Sequence, residues 1–219
     1  MAEIRDTALL LRRIPYGDTS LIIHILAREH GRVSLMARGA RRAKSPFRAA
    51  LAPLSKLIAV WRPGRTGMGT LVDIERGGAL LEEERSLEGL QLNALAAGLF
   101  REGEVHGYAE LIHALGVLEE RKPDSGILAG AWDLLQKEGW LGPLDYCWRC
   151  ANAGDVFQWR NAELCCPACG QGMAVSAGLR KGILGHMHNS KVYLPPRDLE
   201  MWRLMIQDIL RHHGLKPSF

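Results

Sequence analysis

Thr7-Ala8-Leu9-Leu10-Leu11, Leu21-Ile22-Ile23-His24-Ile25-Leu26 and Val33-Ser34-Leu35-Met36-Ala37 are short apolar runs, separated by Pro15-Tyr16-Gly17-Asp18 and by His30-Gly31. Two more, Leu57 to Trp61 and Thr70 to Ile74, follow on either side of Arg62-Pro63-Gly64. Runs this short, rich in β-branched and aliphatic residues and bounded by glycine and proline, read as strands, and no helical period links them. Five strands within the first 80 residues suit a small closed or nearly closed barrel. The oligonucleotide-binding (OB) fold is the commonest nucleic-acid version. An SH3-like barrel fits the same count, because periodicity does not order strands.

Beyond this stretch the pattern changes to leucines at helical spacing. Leu87, Leu90, Leu95 and Leu99 follow Ser86, a candidate N-cap, and Tyr108, Leu111, Ile112, Leu115 and Leu118 form a second stripe closed by Lys122-Pro123. A third helix is expected with Ser125 as its cap, Ile127, Leu128, Ala131, Leu134 and Leu135 buried, and Gly139 at the left-handed C-terminal position. A last helix is expected to begin at Asp198, to bury Leu199, Trp202, Ile206, Ile209 and Leu210, and to stop at Gly214. The predicted architecture is therefore α+β. A five-stranded OB-fold barrel occupies residues 1–80, and an all-helical domain occupies 81–219 with a cysteine element inserted at 145–172.

Charge divides along the same line. Residues 1–80 carry 14 Lys/Arg and 6 Asp/Glu, a balance of +8, and the remainder carries 14 and 18, a balance of −4. Clustered cations attract phosphate and release its counterions, so the basic half points to a polyanion partner. A hydrophobic share of 47% gives the chain room for a core. No stretch approaches the roughly 18 to 20 apolar residues of a membrane helix, and Met1-Ala2-Glu3-Ile4-Arg5-Asp6 is not a signal peptide, so a cytoplasmic protein without a membrane partner is expected.

Cys147-Trp148-Arg149-Cys150 and Cys166-Pro167-Ala168-Cys169, fifteen residues apart, match the ligand spacing of one tetrahedral zinc. Two intervening residues let a tight turn aim both sulfurs at one ion, and Val156-Phe157-Gln158-Trp159 can begin a hairpin that brings the pairs together. Gly154 and Gly170 are placed to ease the turns. Cys165 with Cys169 is also a permitted spacing, and Cys166 is preferred because it mirrors the first pair. Four thiolates leave no open position for an activated water, so such a zinc is structural. Disulfides are disfavoured in a reducing compartment. His186, His188, His212 and His213 lack partners at a persuasive spacing and read as surface histidines.

Arg38, Arg41, Arg42, Lys44 and Arg48 place five cations in eleven residues directly after a predicted strand, in a loop that also holds Phe47. Arg62-Pro63-Gly64-Arg65 is a second basic tip. Such loops can track successive phosphates and flank one groove, with Phe47 or Trp61 available either for base stacking or for the core, the latter being the commoner fate of a strand tryptophan.

Leu9-Leu10-Leu11-Arg12-Arg13, Tyr16-Gly17-Asp18-Thr19-Ser20, Glu29-His30-Gly31-Arg32 and Ala37-Arg38-Gly39-Ala40-Arg41-Arg42 resemble the N-terminal domain of the RecO family of recombination mediators. The order of parts, a barrel followed by helices around a four-cysteine element, extends the resemblance to nearly the whole chain. It implies a nucleoid-associated protein that binds single- and double-stranded DNA through the OB domain and anneals complementary strands. It also implies partnership with RecR and with the acidic C-terminal tail of single-strand-binding protein, for which an apolar pocket beside a cation is expected. No phosphate-binding loop, Gly-x-Ser-x-Gly elbow, His-Glu-x-x-His helix or aspartate cluster is found, which argues against an enzyme. The competing reading is a zinc-ribbon adaptor or sequence-specific regulator, which would discriminate between duplex sequences where an annealer would not.

Overall fold

The structure, a computed structural model, describes residues 2–65, 67–188, 190 and 192–217. The chain forms two compact units, Met1–Leu115 and Gly116–Phe219. In the first, β1 (Ile4–Tyr16), β2 (Ser20–Ala27), β3 (Gly31–Ala37), β4 (Ser55–Arg62) and β5 (Gly69–Ala79) close into a barrel in the order β1-β2-β3-β5-β4. The five expected runs fall inside these strands. The order that periodicity left open is that of the OB fold, with a parallel contact of β3 on β5 and antiparallel pairing elsewhere.

β1 serves two neighbours. Ile4 to Ala8 pair with β4, Ala8 to Tyr16 pair with β2, and an irregularity between Leu10 and Arg12 bends the strand from one partner to the other. Ala8 and Leu10 face the interior with Ile23, Ile25, Leu35, Leu57, Ala59 and Trp61. Leu9 and Leu11 lie on the opposite side and are buried as well, because α2 (Ser86–Leu99) packs on β1 and Asn93 Nδ2 donates to the Leu10 and Leu11 carbonyls at 3.2 and 3.0 Å. An uninterrupted Leu-Leu-Leu is what a strand covered on both faces requires.

α3 (Tyr108–Glu120) carries the chain into the second unit, where α4 (Pro123–Lys137), α5 (Ala177–Met187) and α6 (Pro196–His212) pack together, with Trp132 and Trp202 edge to face at 6.1 Å. Helix starts differ from expectation. Ser86 is the first residue of α2, not its cap, because a 3-10 turn over Glu83–Arg85 already winds the chain and leaves Arg85 at the cap. α4 begins two residues before Ser125, whose hydroxyl donates back to the Lys122 carbonyl at 3.4 Å. α6 begins at Pro196, since a proline at the first turn gives up only an N–H that has no helical partner. The C-terminal ends follow expectation. Gly139 (φ +73°) donates to Gln136 O and Trp140 to Leu135 O, a Schellman closure that Gly214 (φ +75°) repeats after α6. Among the described residues no helix is long and apolar enough to cross a membrane.

Candidate nucleic-acid interface and metal centre

The basic segment leaves the end of β3 and coils instead of extending. Arg42 N bonds to Gly39 O, Ser45 N to Arg42 O and Arg48 N to Ser45 O, three successive turns that lead into the single helical turn α1 (Pro46–Ala50). Phe47 packs half-buried against the barrel core, so of its two expected roles it takes the structural one. Arg38, Arg41, Arg42, Lys44 and Arg48 are all exposed. The Arg41 amide bonds to Thr19 O at 2.8 Å and its guanidinium to Gly17 O at 2.9 Å, which fastens the loop to the β1–β2 turn. Among the described residues no carboxylate lies within ion-pair distance of these five cations or of Arg65.

Register places the second basic tip beside the first. Met36 and Arg62 are both partners of Thr70, so Arg62 stands two strand spacings, about 10 Å, from a residue two positions before Arg38. Arg65 is exposed at the tip, whereas Arg62 is held by Glu3 Oε1 at 3.0 Å from Nε and 2.7 Å from Nη2. Trp61 is 2% exposed in the barrel core, its ring nearly perpendicular to that of the exposed His30, so it offers no stacking face.

The outer face of β2 and β3 carries three cross-strand pairs, Ile22 with Met36, His24 with Ser34, and Leu26 with Arg32. Residues 97–104 cover two of them. Arg32 Nη1 donates to the Ala97 and Phe100 carbonyls at 2.8 and 2.9 Å, closing the end of α2, and Glu102 accepts from the Ser34 hydroxyl. Glu102 also lies 3.8 Å from His24 Nδ1, and Arg32 and Glu102 form a parallel bridge. The Glu104 carbonyl passes so close to Gly31 (φ +61°) that any β-carbon there would collide with it at 1.8 Å. Nothing in the sequence signalled this strap. Its only trace is a glycine that the strand break already explained.

In the second unit β6 (Phe157–Arg160), β7 (Glu163–Cys165) and β8 (Met173–Val175) form a small sheet in the order β7-β6-β8. Asn161 and Ala162, at φ +51° and +59°, turn β6 into β7 as a tight hairpin. The Sγ atoms of Cys147, Cys150, Cys166 and Cys169 all lie within 4.8 Å of one another. Four thiolates around one ion at about 2.3 Å stand about 3.8 Å apart. Cys150 and Cys166 are 3.7 Å apart, so the cluster fits a metal ion and is not disulfide-bonded. Cys165 is fully buried and points to Glu163, outside the cluster.

At the first pair it is Ala151 (φ +56°), not Gly154, that takes the left-handed position, and at the second Cys169 N and Gly170 N both bond to Cys166 O, with no left-handed residue. Burial raises the Cys147 thiol, but backbone amides of Cys166, Cys150 and Arg149 outweigh it and bring it down to about 6. Cys169 is pushed up to about 12 by its hydrogen bonds with Cys150 and Cys166. Four sulfurs this close do not all ionise without a cation among them.

Two residues the sequence did not single out bind this element to the helices. Asp208 of α6 accepts from Trp159 Nε1 (2.9 Å) and Ala162 N (2.7 Å). Arg180 of α5 donates to Leu144 O (2.9 Å) and Asp155 O (2.8 Å) and lies over the Phe157 ring. His188, His212 and His213 are exposed as expected. His186 is not a surface residue. It is 4% exposed, its Nδ1 stands 2.9 Å from Arg121 Nη1, and it lines a cavity of about 550 Å³ with Arg121, Lys122, Val192, Tyr193 and Leu199. Burial first, then the Arg121 charge, holds its pKa below the ordinary imidazole range.

Barrel and cluster together define an OB-fold protein with a four-cysteine, metal-type element among helices. Residues 1–76 match the family model described as recombination protein O, N terminal. A DNA repair protein RecO of Polynucleobacter asymbioticus is 37% identical over 170 residues, covering 72% of this chain and 69% of that protein. Those of Coxiella burnetii and Ralstonia nicotianae are 39% and 34% identical, covering 49% and 65% of this chain and 46% and 54% of theirs. The chain belongs to the RecO family of DNA repair proteins.

Proposed function

We propose that the chain is a recombination mediator that binds single- and double-stranded DNA, anneals complementary strands and helps a recombinase onto strands coated with single-strand-binding protein, together with RecR. The observation that carries this reading is the group of exposed cations, Arg38, Arg41, Arg42, Lys44 and Arg48, without carboxylate partners among the described residues and beside Arg65. Annealing requires two phosphate backbones to approach with their repulsion screened, and cations on a short, coiled loop supply that screening without any covalent step. The reading therefore assigns no enzymatic activity. Residues 1–80 act as the DNA-binding domain, and Arg62, already engaged by Glu3, contributes least.

Zinc suits the cysteine cluster because four thiolates in two Cys-x-x-Cys pairs are a common donor set of structural zinc. Cys147, Cys150, Cys166 and Cys169 would hold it, and its role is to cross-link the small sheet. The cavity lined by Arg121 and Lys122, with Glu120 and Asp124 also in its lining, offers an apolar wall beside two cations for an acidic tail ending in an aromatic residue. The proposed setting is the cytoplasm, on the nucleoid.

The test is a competition assay with unrelated single strands and duplexes, in the presence of magnesium and nucleoside triphosphate. Similar affinities with intact DNA and intact triphosphate are expected. A strong preference for one duplex sequence, or turnover of either substrate, would contradict the reading.

A further inference from the structure

OB folds commonly take nucleic acid on the outer face of their second and third strands, between flanking loops. In this chain that face is divided. Near the basic loop, Ile22 and Met36 are half-buried and open to a ligand. Further along, the row formed by Arg12, His24 and Ser34 in neighbouring strands is headed by Glu102, which accepts from Ser34 and approaches His24. Glu102 keeps 50% of its side chain exposed while His24 keeps 16%, so the carboxylate charge faces the solvent from which a phosphate would come. The carboxylate does not arrive there by chance of side-chain rotation. Arg32 pins the preceding carbonyls of Ala97 and Phe100, and Glu104 crosses Gly31, so the backbone on both sides of Glu102 is held to β3.

We propose that Glu102 is a built-in acidic occupant that closes this half of the β2–β3 face to nucleic-acid backbone and confines a bound strand to the arc of Arg38–Arg48, the β1–β2 turn and the Arg65 tip. This inference rests on the DNA-binding reading above. The mechanism is electrostatic. A fixed negative charge in the row that holds Arg12 offsets the attraction this guanidinium would otherwise exert on a phosphate, and a strand lying there would bring its own charge against the carboxylate.

The test uses the full chain with oligothymidylates of graded length and a salt series. Glu102→Gln keeps an acceptor for Ser34 and removes the charge. It is expected to lengthen the oligonucleotide at which affinity stops rising and to steepen the salt dependence by about 0.7 for each additional phosphate neutralised. Adding Arg12→Ala to that variant is expected to return the slope to the wild-type value. An unchanged slope and unchanged length dependence in a folded Glu102→Gln protein would overturn the inference while leaving the DNA-binding reading intact.

Hydrogen exchange on the wild type supplies a readout that does not depend on the variant folding. Oligothymidylate is expected to protect residues 36–48 and leave 31–34 and 101–104 unprotected. New protection at 101–104 would overturn the inference. Wild-type protein that binds no oligothymidylate at all would overturn the DNA-binding reading and this one together.

Discussion

Trp61 and the cations around it divide the work of the barrel between them. With 2% of its surface exposed, Trp61 fills the interior, and Trp61→Ala is expected to cost about 3–5 kcal/mol in a denaturant titration while Trp61→Phe costs less and leaves DNA affinity unchanged. A large loss of affinity in a stable Trp61→Phe protein would mean that the ring stacks on a base after all. The charges outside behave oppositely. Replacing Arg41, Arg42 and Lys44 together with alanine is expected to weaken binding to every sequence alike and to flatten the single-strand salt slope by about 2. An unchanged slope with an intact fold would remove the loop from the interface. These cations were legible in the sequence because like charges in a glycine- and proline-bearing loop have few structural uses. Glu102 was not, since a single glutamate in a polar segment carries no pattern, and only the path of residues 97–104 gives it a neighbour in Ser34.

Among the elements, strands and the cysteine cluster were the most readable, because both depend on local spacing. Five apolar runs gave five strands, and two Cys-x-x-Cys pairs gave one cluster within 4.8 Å. Helix starts were less so, because a cap is decided by which backbone N–H is already satisfied, and the turn before α2 and the prolines before Asp198 changed that. The four-cysteine element is expected to release about one equivalent of zinc per chain to a strong chelator, lowering the melting temperature of the second unit before DNA binding is lost. Metal analysis finding no zinc in protein purified without chelator and with reduced thiols would refute this.

His186 gives the same unit a pH dependence. Its pKa is lowered on folding, so the folded state binds fewer protons than the unfolded one, and the stability this provides is present above about pH 6.5 and lost as pH falls through the lowered value. Thermal melts of His186→Gln should lose that portion of the acid sensitivity. An identical pH profile in the variant would show that His186 is not its source.

For the molecule as a whole, the charge asymmetry seen in composition has a structural counterpart. The barrel unit holds the basic loop and tip, and the helical unit holds the metal-type cluster and the apolar cavity beside Arg121 and Lys122. Under the proposed function nucleic acid falls to the first unit and an acidic protein tail to the second, and neither role needs bond-making chemistry. The most direct measurement is annealing of complementary labelled strands by the purified chain across a salt series, without nucleotide or magnesium, for the wild type and the Arg41, Arg42 and Lys44 alanine variant. The expected result is acceleration for unrelated sequences alike, declining as salt rises and largely lost in the variant. Annealing that is as fast in the variant, or that requires nucleoside triphosphate, would contradict it.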